Sequence, residues 1–266
     1  MTSERVDDLL VLAVETARAA GAELLRRYGR IEGLETKSTA TDPVSDADRA
    51  SERLIVDALA KARPDDAILG EEGTSRPGTS GIRWVVDPLD GTVNYLYGID
   101  GWAVSIAAED GDGRLVGVVH QPAENRIFSA TRGGGAFVDR QRLRANDPVR
   151  MQQALLATGF SYRPDRRAAI GGVIAGLLPQ VRDIRRLGTA SVDLCMVAAG
   201  MVDAYFEEGL NPWDVAAGAL IATEAGAAYD DVLATPAGGQ GMLAAGPALQ
   251  PILRAAIEKL VAAAAV

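Results

Sequence analysis

The stretch Trp84-Val85-Val86-Asp87-Pro88-Leu89-Asp90-Gly91-Thr92 ends an apolar run with two carboxylates. Pro88 and Gly91 are turn-forming residues, and a strand ending at Asp87 followed by a tight turn returns Asp90 towards it. Two carboxylates and an intervening main-chain carbonyl are the oxygen donors that a hard cation such as Mg²⁺ takes. Gly91 and Thr92 then offer backbone N–H groups at a helix start, an arrangement suited to anions. Read by itself, the segment fits either a capped turn or a metal-bound phosphate. Further acids stand at Gly70-Glu71-Glu72-Gly73 and at Trp213-Asp214, and Lys37 precedes Asp42, Asp46 and Asp48. Asp214 reads as a helix N-cap or as a carboxylate fixed at a metal by its tryptophan neighbour. The Asp42, Asp46, Asp48 spacing lacks the glycine and terminal glutamate of a calcium loop.

The chemistry has to manage almost without histidine and cysteine. The chain contains one of each, His120 and Cys195. Multi-histidine zinc sites, disulfide frameworks and two-histidine acid–base catalysis are excluded. His120 closes the run Leu115 to Val119 and reads as the end of a strand; Cys195 sits among apolar neighbours and reads as core. The net charge of -9 over 266 residues argues against a nucleic-acid partner, and the arginines at 182, 185 and 186 are too few to reverse it. The N-terminus is polar and acidic, unlike a signal peptide, and no apolar segment is long enough for a bilayer. These features predict a cytoplasmic protein without a membrane partner.

The elements that must carry these residues follow from periodicity. Helical spacing covers residues 4–29, and Ser45 caps a second helix ending before Pro64. Strands are expected at residues 84–86, 103–107, 115–119, 127–130 and 136–138, separated by turn signals, as in an antiparallel meander. Beyond residue 150, strands at 155–158, 204–206 and 242–245 alternate with helices at 166–181, 191–199, 215–225 and 249–264. Residues 1–150 thus predict an α+β part and residues 151–266 an α/β part, one continuous body with a cleft between them. At 5% aromatic residues, the core must rest on Ala, Val, Leu and Ile.

Taken together, Gly70-Glu71-Glu72, Asp87-Pro88-Leu89-Asp90-Gly91-Thr92 with Asn94-Tyr95, and Trp213-Asp214-Val215-Ala216-Ala217-Gly218 closely resemble the inositol monophosphatase family, over nearly the whole chain. The resemblance implies a layered αβαβα sandwich of the sugar-phosphatase type, often a homodimer, and a Mg²⁺-dependent, lithium-sensitive phosphomonoesterase in which metal-activated water attacks phosphorus. It assigns two or three Mg²⁺ to Glu71, Asp87, the Leu89 carbonyl, Asp90 and Asp214. It makes Thr92 and Glu71 the orienters of the water, with Asp48 bonded to Thr92, and Gly91 and Thr92 the phosphate holders. Gly188, Thr189, Ala190, Glu207 and Asp214 would face the substrate, and Lys37 would lie in a flap. Inositol monophosphate is the expected substrate. Fructose 1,6-bisphosphate, histidinol phosphate and 3′-phosphoadenosine 5′-phosphate are the alternatives within this chemistry, and a non-catalytic regulatory protein on the same fold is the alternative outside it. Two departures stand out. Asn211-Pro212 puts an unexpected proline before Trp213, and Arg163-Pro164-Asp165-Arg166-Arg167 sets charge on a segment bordering the cleft, either as a solvated helix start or to select a second phosphate.

Overall fold

A computed structural model describes residues 3–30, 35–36, 43–234 and 240–264. The first half contains α1 (Ser3–Arg27), β1 (Glu35–Thr36), β2 (Pro43–Val44), α2 (Asp46–Ala62), β3 (Ala67–Gly70), β4 (Ser75–Arg76), β5 (Arg83–Asp90), α3 (Thr92–Leu96), β6 (Ala103–Asp110), β7 (Gly113–Gln121), β8 (Arg126–Thr131), β9 (Gly135–Val138) and β10 (Gln141–Arg142). The second contains β11 (Leu155–Thr158), α4 (Pro164–Leu177), β12 (Asp183–Arg185), α5 (Ala190–Ala198), β13 (Ala204–Glu208), α6 (Pro212–Glu224), β14 (Ala228–Ala234), β15 (Gln240–Ala245) and α7 (Gln250–Ala264).

An eight-stranded sheet runs β10-β9-β8-β7-β6-β5-β3-β4, and a five-stranded sheet runs β12-β11-β13-β15-β14. The expected meander spans β5 to β10, and β3 adds to β5 in parallel. The second sheet is mixed rather than purely parallel: β11 pairs parallel with β12 and β13, whereas β15 pairs antiparallel with β13 and β14. Its two edge strands, β12 and β14, were not legible as apolar runs. Asp183, Arg185, Asp230 and Asp231 occupy them, and charged residues are what exposed edges carry. The helix expected from residue 166 starts at Pro164 and ends at Leu177, where a 3₁₀ turn takes over.

Strand alternation distributes the core into layers. Trp84 and Val86 of β5, with Val104, Ile106 and Ala108 of β6, pack under α1 and α2. Val85, Ala103, Ala107 and Val119 face the other way, onto Cys195 of α5 and Ala217, Leu220 and Ile221 of α6. Those helices turn their remaining faces to Ala157, Tyr205 and Ala244 of the second sheet. Leu156, Phe206 and Leu243 complete the stack against α4 and α7. The result is the five-layer αβαβα sandwich.

The central helix layer is packed closely because its contacts are small. A Cβ at Gly117 of β7 would stand 2.7 Å from the Ala217 carbonyl, and one at Gly218 of α6 would stand 2.8 Å from Leu194 Cβ. This explains how the protein manages with few aromatic residues. No described helix is long and apolar enough to cross a membrane.

Candidate active site

Asp87 and Asp90 are an odd number of residues apart, so in a regular strand they would point to opposite faces. The expected explanation was a turn after Asp87. The structure instead continues β5 through Asp90 and inserts a bulge: Asp87 opposes Ser105 and Asp90 opposes Ala103. Ser105 and Ala103 share one face of β6, so the extra residue returns both carboxylates to the side facing α6. Asp87 is fixed further by the Leu89 N–H, which donates to its Oδ1 at 3.0 Å. The Ser191 N–H at the start of α5 donates to Asp90 Oδ2 at 2.7 Å.

Asp214 arrives from α6. It lies at the third position of the helix, not at the N-cap, which is Asn211. The Asn211 N–H donates to Asp214 Oδ2 at 2.6 Å. Pro212 occupies the first helical position, where no intrahelical donor is lost, so this departure is good helix chemistry. Glu71 follows β3 in a turn that closes with the Gly70 N–H on the Thr74 carbonyl. A residue absent from the sequence reading, Glu52 of α2, holds that turn by accepting from the Glu72 N–H at 2.8 Å and the Thr74 Oγ1 at 2.6 Å. A Cβ at Gly70 would stand 2.6 Å from the Glu52 carboxylate.

Thr92 opens α3 directly after Gly91, whose φ of +89° and lack of a side chain let the turn fit against Thr189 Oγ1 and the Gly101 carbonyl. The Thr92 hydroxyl lies 3.1 Å from both Asp48 Oδ1 and the Leu89 carbonyl, and its proton can go to one of them at a time. Asp48 accepts from the Ser45 N–H at 2.9 Å and the Ser45 hydroxyl at 2.6 Å. Asn94 joins this turn to the loop before α5 by donating to the Gly101 carbonyl at 2.6 Å and the Leu187 carbonyl at 2.8 Å. Tyr95 anchors α3 from behind, its hydroxyl donating to the Leu24 carbonyl at 2.7 Å.

All of Glu71, Asp87, Leu89, Asp90, Gly91, Thr92, Gly188, Thr189, Ala190, Glu207 and Asp214 line one cleft of about 470 Å³. Asp48 supports it from beneath. Lys37 lies outside the described residues. The arginines left open by the sequence reading divide. Arg163 makes an ion pair with Asp165 at 2.7 Å, and Arg163, Arg166 and Arg186 all border the cleft. His120 lies elsewhere, buried at the end of β7 with Nδ1 3.0 Å from the Ala17 carbonyl.

The electrostatics are those of an acid cluster. Lost hydration, then Glu71, Asp90 and Asp214, push the Asp87 carboxyl well above the usual range. Lost hydration pushes Asp90 up to about 6, although hydrogen bonds from Ser191 oppose the shift. Asp214 is raised by lost hydration and by Asp90, against the pull of the Asn211 N–H. At the other end of the cleft, lost hydration pushes Glu207 up to about 7; the Tyr205 hydroxyl, 2.5 Å from Glu207 Oε2, and Arg186 draw it down. Among the described residues no three Asp, Glu, His or Cys side chains are gathered tightly enough to enclose an ion. Glu71 and Asp87 are nevertheless within hydrogen-bonding reach of one another, and the repulsion among these acids is one that a divalent cation would relieve.

Comparison with known proteins agrees with this geometry. The model of the inositol monophosphatase family matches residues 5–263. The inositol-1-monophosphatase SuhB of Mycobacterium tuberculosis is 44% identical, covering 95% of this chain and 92% of that protein. The Nus factor SuhB of Pasteurella multocida is 40% identical over 83% of this chain and 84% of its own length. The crystal structure of the suppressor protein SuhB of Bartonella henselae superposes with a TM-score of 0.87 at 36% identity, over 95% of this chain and 99% of that one. Fold, cleft and relatives together define a phosphoric monoester hydrolase acting on small phosphorylated substrates. The chain belongs to the inositol monophosphatase family.

Proposed function

We propose that the protein hydrolyses inositol monophosphate to inositol and phosphate, using two or three Mg²⁺. The observation that carries this reading is the convergence of Glu71, Asp87, Asp90 and Asp214 on one cleft beside the Gly91–Thr92 turn. The charges that raise Asp87 are those of its carboxylate neighbours, and Asp214 likewise feels Asp90, Glu71 and Glu207. Oxygen donors that repel one another fit a hard divalent cation, with the Leu89 carbonyl as a further neutral donor. Mg²⁺ bound there supplies Lewis acidity, which offsets the phosphate charge and acidifies water.

The chain's own groups do the positioning. With its O–H donating to Asp48, Thr92 Oγ1 has lone pairs to accept from the attacking water. Glu71 accepts from the same water. The N–H groups of Gly91 and Thr92 hold phosphate oxygens, and Glu207 with the Gly188-Thr189-Ala190 loop receives the alcohol. We also infer a homodimer, supported by the loop after α3, where Tyr97 is 80% and Ile99 54% exposed. A non-catalytic regulatory protein on this fold would leave the acid cluster without a purpose.

The test is phosphate release from inositol 1-phosphate, fructose 1,6-bisphosphate, histidinol phosphate and 3′-phosphoadenosine 5′-phosphate, with and without Mg²⁺, beside Asp90→Asn. Mg²⁺-dependent release led by inositol 1-phosphate and lost in the variant supports the reading. Release led by another substrate overturns its choice of alcohol, and release indifferent to Mg²⁺ overturns its chemistry.

A further inference from the structure

Glu208 has no part in the site as built so far. It is the last residue of β13, next to Glu207, and strand alternation sends the two side chains to opposite faces. Glu207 projects with Tyr205, to which it is bonded, towards α5. Glu208 projects with Phe206, towards the α4 side of the sheet. Both nevertheless line the same cleft, so they bracket the end of the strand. Glu208 is only 2% exposed, and neither of its carboxyl oxygens has a hydrogen-bond partner among the described residues. A buried carboxyl without a partner is costly, and a methionine or leucine would fill the same space without that cost. The missing partner is a hydrogen-bond donor that enters the cleft.

The surrounding charges say what kind of donor. Half-buried Arg166 lies beside Gly209, a guanidinium nitrogen 3.5 Å from where a Cβ on that residue would stand. Arg186 faces Glu207 and the buried Asp193. A second phosphate would meet Glu207 and Glu208 as well as the arginines, and an ammonium group would meet Arg166 and Arg186 as well as the acids. A neutral polyol suits a wall of mixed sign, because each hydroxyl both donates and accepts.

We propose that Glu208 is a specificity-determining residue, accepting hydrogen bonds from hydroxyls of a polyol leaving group on the side away from the phosphate. This rests on the phosphatase reading above and adds to it the means by which the alcohol is recognised.

The experiment compares kcat/KM for myo-inositol 1-phosphate with kcat/KM for p-nitrophenyl phosphate, whose leaving group has no further hydroxyls. It uses the full chain with saturating Mg²⁺, as wild type, Glu208→Met and Glu208→Gln. Loss of one hydrogen bond to a buried carboxyl lowers the ratio by about 10-fold or more in Glu208→Met, mainly through KM for the inositol ester. Glu208→Gln, which keeps the shape and one acceptor oxygen, recovers part of that loss and remains informative if the methionine variant does not fold. A ratio unchanged in the glutamine and methionine variants, whether or not their melting temperatures move, overturns the proposal. A wild-type enzyme that prefers a bisphosphate or an amino alcohol phosphate also overturns it. A wild-type enzyme that releases phosphate from neither ester refutes the phosphatase reading by itself, and Mg²⁺-independent turnover refutes its metal chemistry, each irrespective of the ratio.

Discussion

Asp90→Asn should stabilise the metal-free protein while destroying its activity. The Asp90 carboxyl moves from 3.8 to about 6 on folding, chiefly through lost hydration. The folded form therefore keeps a proton that the unfolded form gives up near pH 4. The stability associated with this group is fully present below 3.8, is lost as pH rises towards 6, and stays lost above that. A difference of roughly two units at 1.36 kcal/mol each makes the loss about 3 kcal/mol at pH 7.5. Asparagine removes the charge but keeps an oxygen that accepts from the Ser191 N–H, now bonded at 2.7 Å. In EDTA at pH 7.5 the variant should therefore melt roughly 5–10 °C above wild type, with the gap closing near pH 4.5. Saturating Mg²⁺ should reverse the order, because ligand bound only by the folded state raises wild type and raises the variant less. The assay is a thermal melt of both proteins across pH 4.5–8, with EDTA and with Mg²⁺. A variant that melts at or below wild type in EDTA at pH 7.5 would refute the argument that the fold carries a poorly hydrated charge at Asp90.

Thr92→Val should lower kcat by about 100-fold while leaving the Mg²⁺ dependence of stability in place; a displaced Mg²⁺ curve in thermal melts would move Thr92 from water positioning to ion binding. Gly91→Ala should cost about 1–3 kcal/mol in urea unfolding, since φ is +89° and the methyl group would enter Thr189 Oγ1; wild-type stability would contradict this account of the turn. Arg186→Met removes a cation whose pull opposes the rise of Glu207 to about 7. Glu207 is then protonated at higher pH and accepts less well from the alcohol, so the rise of KM on acidification should begin at higher pH than in wild type. An unmoved KM profile would detach Arg186 from Glu207. His120→Asn should leave kcat within about two-fold, because the ring is buried against α1 rather than in the cleft; a fall in kcat without unfolding would show an unrecognised proton carrier.

What the sequence made legible and what it hid follow from how local each cause is. The apolar runs of β5 to β9 and the helical spacing of α1, α2 and α7 are local patterns, and the layered sandwich followed from them together with the resemblance. Edge strands β12 and β14 have no such pattern, because Asp183, Arg185, Asp230 and Asp231 sit where solvent replaces a neighbouring strand. The acids Asp87 and Asp90 were visible, but the device that puts them on one face was not. A bulge depends on the partner strand, and Ser105 and Ala103 carry no mark of it. Glu52 reads as one more polar residue of a helix and Glu208 as one more charge after an apolar strand. Their roles arise only when α2 meets the Glu71 turn and when the end of β13 is covered.

The same reasoning bears on how a chain of charge -9 could form the proposed phosphate site, whose acids come from distant positions. Asp87 and Asp90 ride on the first sheet, and Asp214 rides on α6. The separation between them is therefore the separation between that sheet and that helix. Gly218 against Leu194 sets the distance from α6 to α5, and Gly117 of β7 against Ala217 of α6 sets the one between sheet and helix, in the interior of the sandwich and outside the cleft. An added Cβ there would lift α6 by a few tenths of an ångström or more, and the carboxylates would part by a similar amount. Oxygen ligands of Mg²⁺ tolerate little change from about 2.1 Å, so affinity for the ion is sensitive to packing that never touches it. The small residues of the central layer would in this sense help to shape the proposed metal site, and the scarcity of aromatic side chains suits so close a layer.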